Sequence, residues 1–167
     1  LDATVAAIAG GTAPLVVTTG GTGQSLADHV RPALRALGAR FAVDGVAMRP
    51  GGPTRVAELP DGRLVVCLPG NPLAAMLAAV AIAEPVIAAL AGRAARSGTV
   101  VSGLDLPGRA GTTQLVPYAT TTHGTEAVRW RDSAMMRGLA EADGILVVPE
   151  TGLRRGEPAV HLDLPWR

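Results

Sequence analysis

Along the first ninety or so residues, apolar positions alternate between short runs and helical stripes. Leu1, Val5 and Ile8 recur at helical spacing until Gly10-Gly11 ends the stripe. Leu15 to Thr19 is a β-branched run and predicts a buried parallel strand. Leu26, Val30, Ala33, Leu34 and Leu37 then share one face, predicting a helix over Ala27 to Leu37 that Gly38 closes. Phe41 to Met48 predicts a strand. Val56 to Leu59 and Leu64 to Leu68 flank Pro60-Asp61-Gly62, which is hairpin chemistry. Pro72 suits the first turn of a helix, and apolar residues carry it to Ala91. Pro85 is expected to kink or restart it.

The pattern changes at Gly92 to Gly98, a polar stretch of Gly, Arg, Ala and Ser. Beyond it short strands are predicted at Thr99 to Leu104, Thr113 to Tyr118, Glu126 to Trp130, Ile145 to Pro149 and Ala159 to Leu164. One short helix is predicted at Ala134 to Ala140. We therefore expect an α/β domain over residues 1–92, a linker over 93–98 and a small β-rich domain over 99–167.

Composition narrows the classes. Two Trp, one Tyr and one Phe among 167 residues leave the core to Ala, Val and Leu. Every basic residue except three His is Arg, the net charge is +1, and no basic patch with interleaved aromatics occurs, so nucleic acid is not expected as a partner. The stretch Leu73 to Ala91 is long enough to test as a membrane span. Its alanines and the Glu84-Pro85 interruption favour a core or subunit-interface helix, so no membrane is expected. Cys67 lies in an apolar run and reads as a buried, inert thiol. The first residues carry no basic segment of a secretory signal, and a cytoplasmic location is expected. Leu1 to Ala9 reads as the tail of a helix already under way, so a longer chain is expected.

Candidate chemistry lies at strand ends. Thr18-Thr19-Gly20-Gly21-Thr22-Gly23 follows a strand and precedes a helix, where open α/β sheets bind ligands. Glycines there let backbone N–H groups approach an anion, and the helix dipole favours it; a tight turn with no ligand is the alternative. The loop matches neither a Walker A nor a Rossmann fingerprint. Asp28, placed in the first turn of the predicted helix, reads equally as a cap, as a partner of Arg31, or as a carboxylate for Mg²⁺ or a phosphate-bound metal. Arg49-Pro50-Gly51-Gly52-Pro53 and Leu68-Pro69-Gly70-Asn71-Pro72 are stiff loops at strand ends, suited to small-anion recognition. His29, His123 and His161 show no metal spacing. Arg129 and Arg131, beside Trp130, suit a solvated edge.

The run Gly20-Gly21, Asp28, Val46 to Pro53 and Leu68 to Pro72, in that order and spacing, resembles the molybdopterin molybdenumtransferase (MoeA) family, which includes the gephyrin E domain. Asp132 to Met136, Ala142 to Glu150 and Gly156-Glu157 resemble that family's C-terminal β-domain. The likeness covers nearly the whole chain. It implies an incomplete molybdopterin-binding, MogA-like parallel-sheet domain followed by the β-rich one. It implies insertion of molybdate into adenylylated molybdopterin with release of AMP, a divalent metal such as Mg²⁺, and a homodimer. By the same resemblance Asp28 is the catalytic and metal-binding carboxylate. Substrate binding is assigned to Thr19, Gly20, Gly21, Thr22, Gly23, Ser25, Arg49, Pro50, Gly51, Pro53, Pro69, Gly70, Asn71, Pro72 and Ser133. Three departures stand out. The family's two loop lysines are Arg49 and Gly52 here, its serine after the Asn-Pro pair is Ala74, and the glycine loop is similar to that of the molybdopterin adenylyltransferase (MogA) family. They favour a second reading, a non-catalytic pterin-binding or scaffold module.

Overall fold

The computed structural model describes residues 1–23, 28–122, 124–129 and 136–167. The chain runs α1 (Asp2–Ala9), β1 (Leu15–Thr19), α2 (Val30–Ala36), β2 (Arg40–Asp44), β3 (Met48–Arg49), β4 (Arg55–Glu58) and β5 (Leu64–Leu68). Then come α3 (Pro72–Ala78), a π-helical turn (Ala79–Ala83) and α4 (Glu84–Leu90). The remainder is β6 (Ser97–Val101), β7 (Leu106–Pro107), β8 (Thr113–Thr121), β9 (Gly124–Ala127), α5 (Arg137–Glu141), β10 (Gly144–Val148), β11 (Gly152–Leu153) and β12 (Pro158–Asp163).

The first sheet has the order β1-β5-β4-β2. β1 and β5 are parallel, with Thr18 opposite Cys67, while β5-β4 and β4-β2 are antiparallel. The middle strands β4 and β5 are buried on both faces, β5 alternating its apolar side chains between two cores, whereas β1, expected to be buried, leaves Val17 half exposed. Val65 and Cys67 pack with Ile8, Val30 and Leu34 on the α1–α2 face. Val66 and Leu68 pack with Leu73, Leu77 and Val80 on the other. Burial pushes the Cys67 thiol upward, as expected of an inert core cysteine.

The second sheet has the order β3-β8-β10-β12-β6, with β9 on β8. Its outermost strand, β3, comes from ahead of the linker and pairs in parallel with β8, Met48 opposite Thr113 and Arg49 opposite Gln114. β7 and β11 form a separate ribbon. The fold is thus mixed α/β with parallel pairing in both sheets and a β-rich second half.

Two local expectations are corrected. Phe41 to Met48 is not one strand: it breaks at Gly45, whose φ of 106° turns the chain from the first sheet to the second. The helix expected from Ala27 is described from Val30, with His29 as its N-cap, so Asp28 stands before the helix and not in its first turn. Arg31 donates to Asp44 (2.5 Å). Pro85 does restart the long helix, but through a π turn. Proline lacks an N–H and crowds the carbonyl four residues back, and the wider turn accommodates that clash. The helix from Pro72 to Leu90 is 19 residues long, with mean hydropathy 2.2, which satisfies the length and composition of a membrane span. Here its apolar side packs on β5 and β12.

Candidate functional site

The parallel pair β1-β5 delivers two loops to the same end of the sheet. Gly20 N–H donates to the Leu68 carbonyl (3.0 Å), extending the β1–β5 ladder past the strands. The Thr19 hydroxyl donates to the Pro69 carbonyl (2.9 Å), and the Thr22 hydroxyl reaches the Leu68 carbonyl at 3.5 Å. The loops pass closely: a Cβ built on Gly70 would lie 3.4 Å from the Gly20 Cα. Small residues are required there for the two backbones to approach.

The third loop follows β3. The Arg49–Pro50 peptide is cis, and Gly51 has φ 122°. The Thr54 amide and hydroxyl both donate to the Gly51 carbonyl, at 2.9 and 2.6 Å. The three loops enclose a cleft of about 390 Å³ lined by Gly21, Thr22, Gly23, Asp28, Arg49, Pro50, Gly51, Pro53, Pro69, Gly70, Asn71 and Ala74. The Asp28 carboxylate stands against Gly23, where a Cβ would lie 2.7 Å from Oδ2. Arg49 is the one cation among the lining residues, and among the described residues it has no ion pair. Arg49 also borders a second cleft of about 370 Å³ between the second sheet and the β7–β11 ribbon, walled by Leu106, Gln114, Val116 and Val148.

Most of the residues singled out in the sequence therefore meet at one place. Thr19, Gly20 and Pro72 stand just behind the lining: Thr19 and Gly20 brace the loops, and Pro72 opens α3 behind Asn71. Ser25 and Ser133 lie outside the described residues.

Sequence reasoning missed Arg55, at the start of β4. Its side chain is only 6% exposed. Its guanidinium donates from Nη1 to the Thr22 carbonyl and to the Pro53 carbonyl (3.0 Å), and from Nε to Asp44 Oδ1 (2.7 Å). Asp44 holds both Arg31 and Arg55, and those two guanidinium groups keep its carboxyl below the ordinary aspartate value. An Arg two residues past Pro53, in a strand otherwise apolar at Val56-Ala57, was the available signal.

Glycine- and proline-rich loops at the carboxyl ends of parallel strands, with a helix behind, define a small-ligand site of the open α/β class. Residues 1–89 match the family described as "Probable molybdopterin binding domain", and the chain belongs to that family. It is 37% identical over 84 residues to a molybdopterin molybdenumtransferase of Nostoc sp., a match covering 49% of this chain and 19% of that protein. It is 37% identical over 76 residues to the molybdopterin molybdenumtransferase of Synechococcus elongatus, covering 45% and 19%. The matches thus span about a fifth of the length of these relatives. The fold resembles a molybdopterin biosynthesis MoeA protein from Pyrococcus horikoshii (TM-score 0.71, 22% identity, 91% of this chain and 37% of that one). It also resembles a molybdenum cofactor biosynthesis protein from Pyrococcus furiosus (TM-score 0.66, 19% identity, 92% and 69%).

Proposed function

We propose that the chain serves molybdenum cofactor biosynthesis, and that the three-loop cleft binds adenylylated molybdopterin through its phosphates. The full-length protein then inserts molybdate into that compound with release of AMP. The observation that carries this reading is the convergence of the loops at residues 20–23, 50–53 and 69–72, with Asp28 and Arg49, on one cleft. Glycine backbone at 20–23 can approach an anion closely. The forked guanidinium of Arg49 suits a phosphate better than a point charge would. Ser25 and Ser133 are proposed as hydroxyl donors to the same ligand.

Mg²⁺ belongs to this proposal as a companion of the substrate. Asp28 is the one carboxylate lining the cleft, and among the described residues no three His, Cys, Asp or Glu side chains gather as a metal cage. Mg²⁺ is commonly held by one or two carboxylates with substrate phosphates supplying further ligands, and a single Asp28 fits that role. The ion would supply charge neutralisation at the phosphate.

The test is calorimetric titration of the full-length protein with adenylylated molybdopterin, with and without Mg²⁺. Asp28→Ala is expected to abolish the metal-dependent part of binding. Arg49→Ala is expected to weaken binding roughly tenfold and to flatten its dependence on salt, as loss of one charge-assisted phosphate contact should. Unchanged affinity in both variants would place the ligand elsewhere. A non-catalytic pterin-binding module is favoured by one feature: Arg49 is alone as a cation where a doubly charged oxyanion would need paired donors, and Ala74 offers no hydroxyl. Binding of the pterin without turnover of molybdate would decide for that reading. A homodimer is also proposed, because Ile87 and Leu90 leave apolar surface exposed on α4. Monomeric sedimentation of the full-length protein at micromolar concentration would count against it.

A further inference from the structure

We propose that Arg55 is a positioning residue that sets the width of the cleft by tying its glycine loop to its proline loop. The proposal rests on the cleft being the ligand site, but its physical core is independent of the ligand. Nη1 of Arg55 donates at once to the Thr22 and Pro53 carbonyls, which belong to opposite walls. Among the described residues no backbone hydrogen bond joins residues 20–23 to residues 50–53. The glycine loop is bonded instead to the Leu68–Pro69 backbone through Gly20, Thr19 and Thr22. Among the described residues Arg55 is thus the hydrogen-bonded link between the first and third loops.

Its geometry is fixed from behind. Nε is held by Asp44 at 2.7 Å, and Asp44 also accepts from Arg31 on α2. The guanidinium is planar, so anchoring Nε at Asp44 dictates where Nη1 points. Arg55 does not line the cleft, so it acts on a ligand only through the backbone it holds. A cleft that recognises phosphate with backbone N–H groups depends on wall spacing, and small misplacement of such groups lowers affinity steeply. Arg55 does not line the cleft and Arg55→Lys keeps its positive charge, so that change should alter affinity without altering the response to salt. Arg49, facing the cleft unpaired, should do the opposite.

The experiment compares wild type, Arg55→Lys, Asp44→Asn and Arg49→Ala in the full-length protein. A lysine keeps the charge and loses the fork. Amide hydrogen exchange is followed at Gly20, Val30 and Thr54, which bond to Leu68, Gly21 and Gly51, and at Val65 and Val66 in β5 as internal controls. Affinity for adenylylated molybdopterin is measured at two salt concentrations. Arg55→Lys is expected to speed exchange at the three loop amides by roughly tenfold while leaving β5 unchanged, as local loosening does. It should lower affinity by about tenfold with an unaltered salt dependence. Asp44→Asn, which keeps an oxygen acceptor for Nε but removes the negative charge shared by Arg31 and Arg55, should speed loop exchange more weakly and is read by exchange alone if Arg55→Lys does not fold. Loop exchange that stays at the wild-type rate, or that rises equally in β5, overturns the proposal. So does an affinity loss whose salt dependence changes as in Arg49→Ala. If wild type fails to bind the pterin, the functional reading above falls, and the exchange data still decide whether Arg55 clamps the loops.

Discussion

Asp44 makes the stability of the fold behind the site sensitive to acid. Arg31 and Arg55 both donate to it, and only its ionised form serves two guanidinium partners well. Its folded pKa lies below the unfolded value, near 3.8. A carboxyl of that kind adds stability that is present above the unfolded pKa and lost as pH falls through the folded one. The urea midpoint should therefore drop below about pH 4, and part of that drop should disappear in Asp44→Asn. Asp61, hydrogen-bonded to Arg63, shifts in the same direction and supplies a remaining part. An Asp44→Asn variant with an unaltered acid slope would remove Asp44 from this account. Gly51 makes a second prediction at this scale. Its φ is 122°, and an added Cβ would meet the Met48 Cε at 2.4 Å. Gly51→Ala should cost upward of about 1 kcal/mol in denaturant unfolding, chiefly because the dihedral is wrong, since the Met48 methyl end can shift to make room.

At the scale of elements, the helix from Pro72 to Leu90 has already adapted to Pro85 through the π turn at Ala79–Ala83. Pro85→Ala should then change stability by less than about 1 kcal/mol, since the helix no longer bears the clash. Ala88→Pro, inside α4 and 1% exposed, should cost about 3 kcal/mol or more in the same measurement. Equal effects would mean that the π turn has another cause. Elements with a single strong cue were legible in the sequence: the β-branched β1, the hairpin at Pro60-Asp61-Gly62 and the proline-opened helix. The glycine and proline loops were legible as a site because strand order brings such loops to one sheet end. What was not legible depends on partners distant in sequence. Met48 reads as the end of a strand and Arg49 as the start of a loop, but both pair in parallel with β8, opposite Thr113 and Gln114. Arg55 draws no expectation from the sequence, because only folding supplies Thr22 and Asp44 to bury it against.

For the whole molecule, residues 91–96 between α4 and β6 are exposed and outside any helix or strand, whereas Ser97 and Gly98 of the expected 93–98 linker belong to β6 and pair with β12. The packing nevertheless crosses that boundary. One apolar cluster joins Met48, Leu73, Leu77 and Val80 from before the linker to Leu115, Val128, Leu139, Ile145 and Leu164 from after it. Pairing of β3 with β8 adds backbone bonds across the same joint, including Thr113 N–H to the Ala47 carbonyl at 2.9 Å. A shared core of this kind couples two parts more strongly than a polar inter-domain contact does. Arg96, solvent-exposed in the linker and held among the described residues only by a long bond from Asp163 N–H to its carbonyl (3.4 Å), offers trypsin a site, whereas Arg93 is held by Glu84 at 2.6 Å and donates its N–H to the Ala88 carbonyl. Limited trypsin treatment should therefore nick the chain after Arg96. The two pieces should separate in a denaturing gel, yet migrate together in native size-exclusion chromatography and unfold in one transition. Pieces that part in plain buffer would show that the linker, not the common core, holds the halves together. The second half would then be a separately folding domain that merely leans on the first.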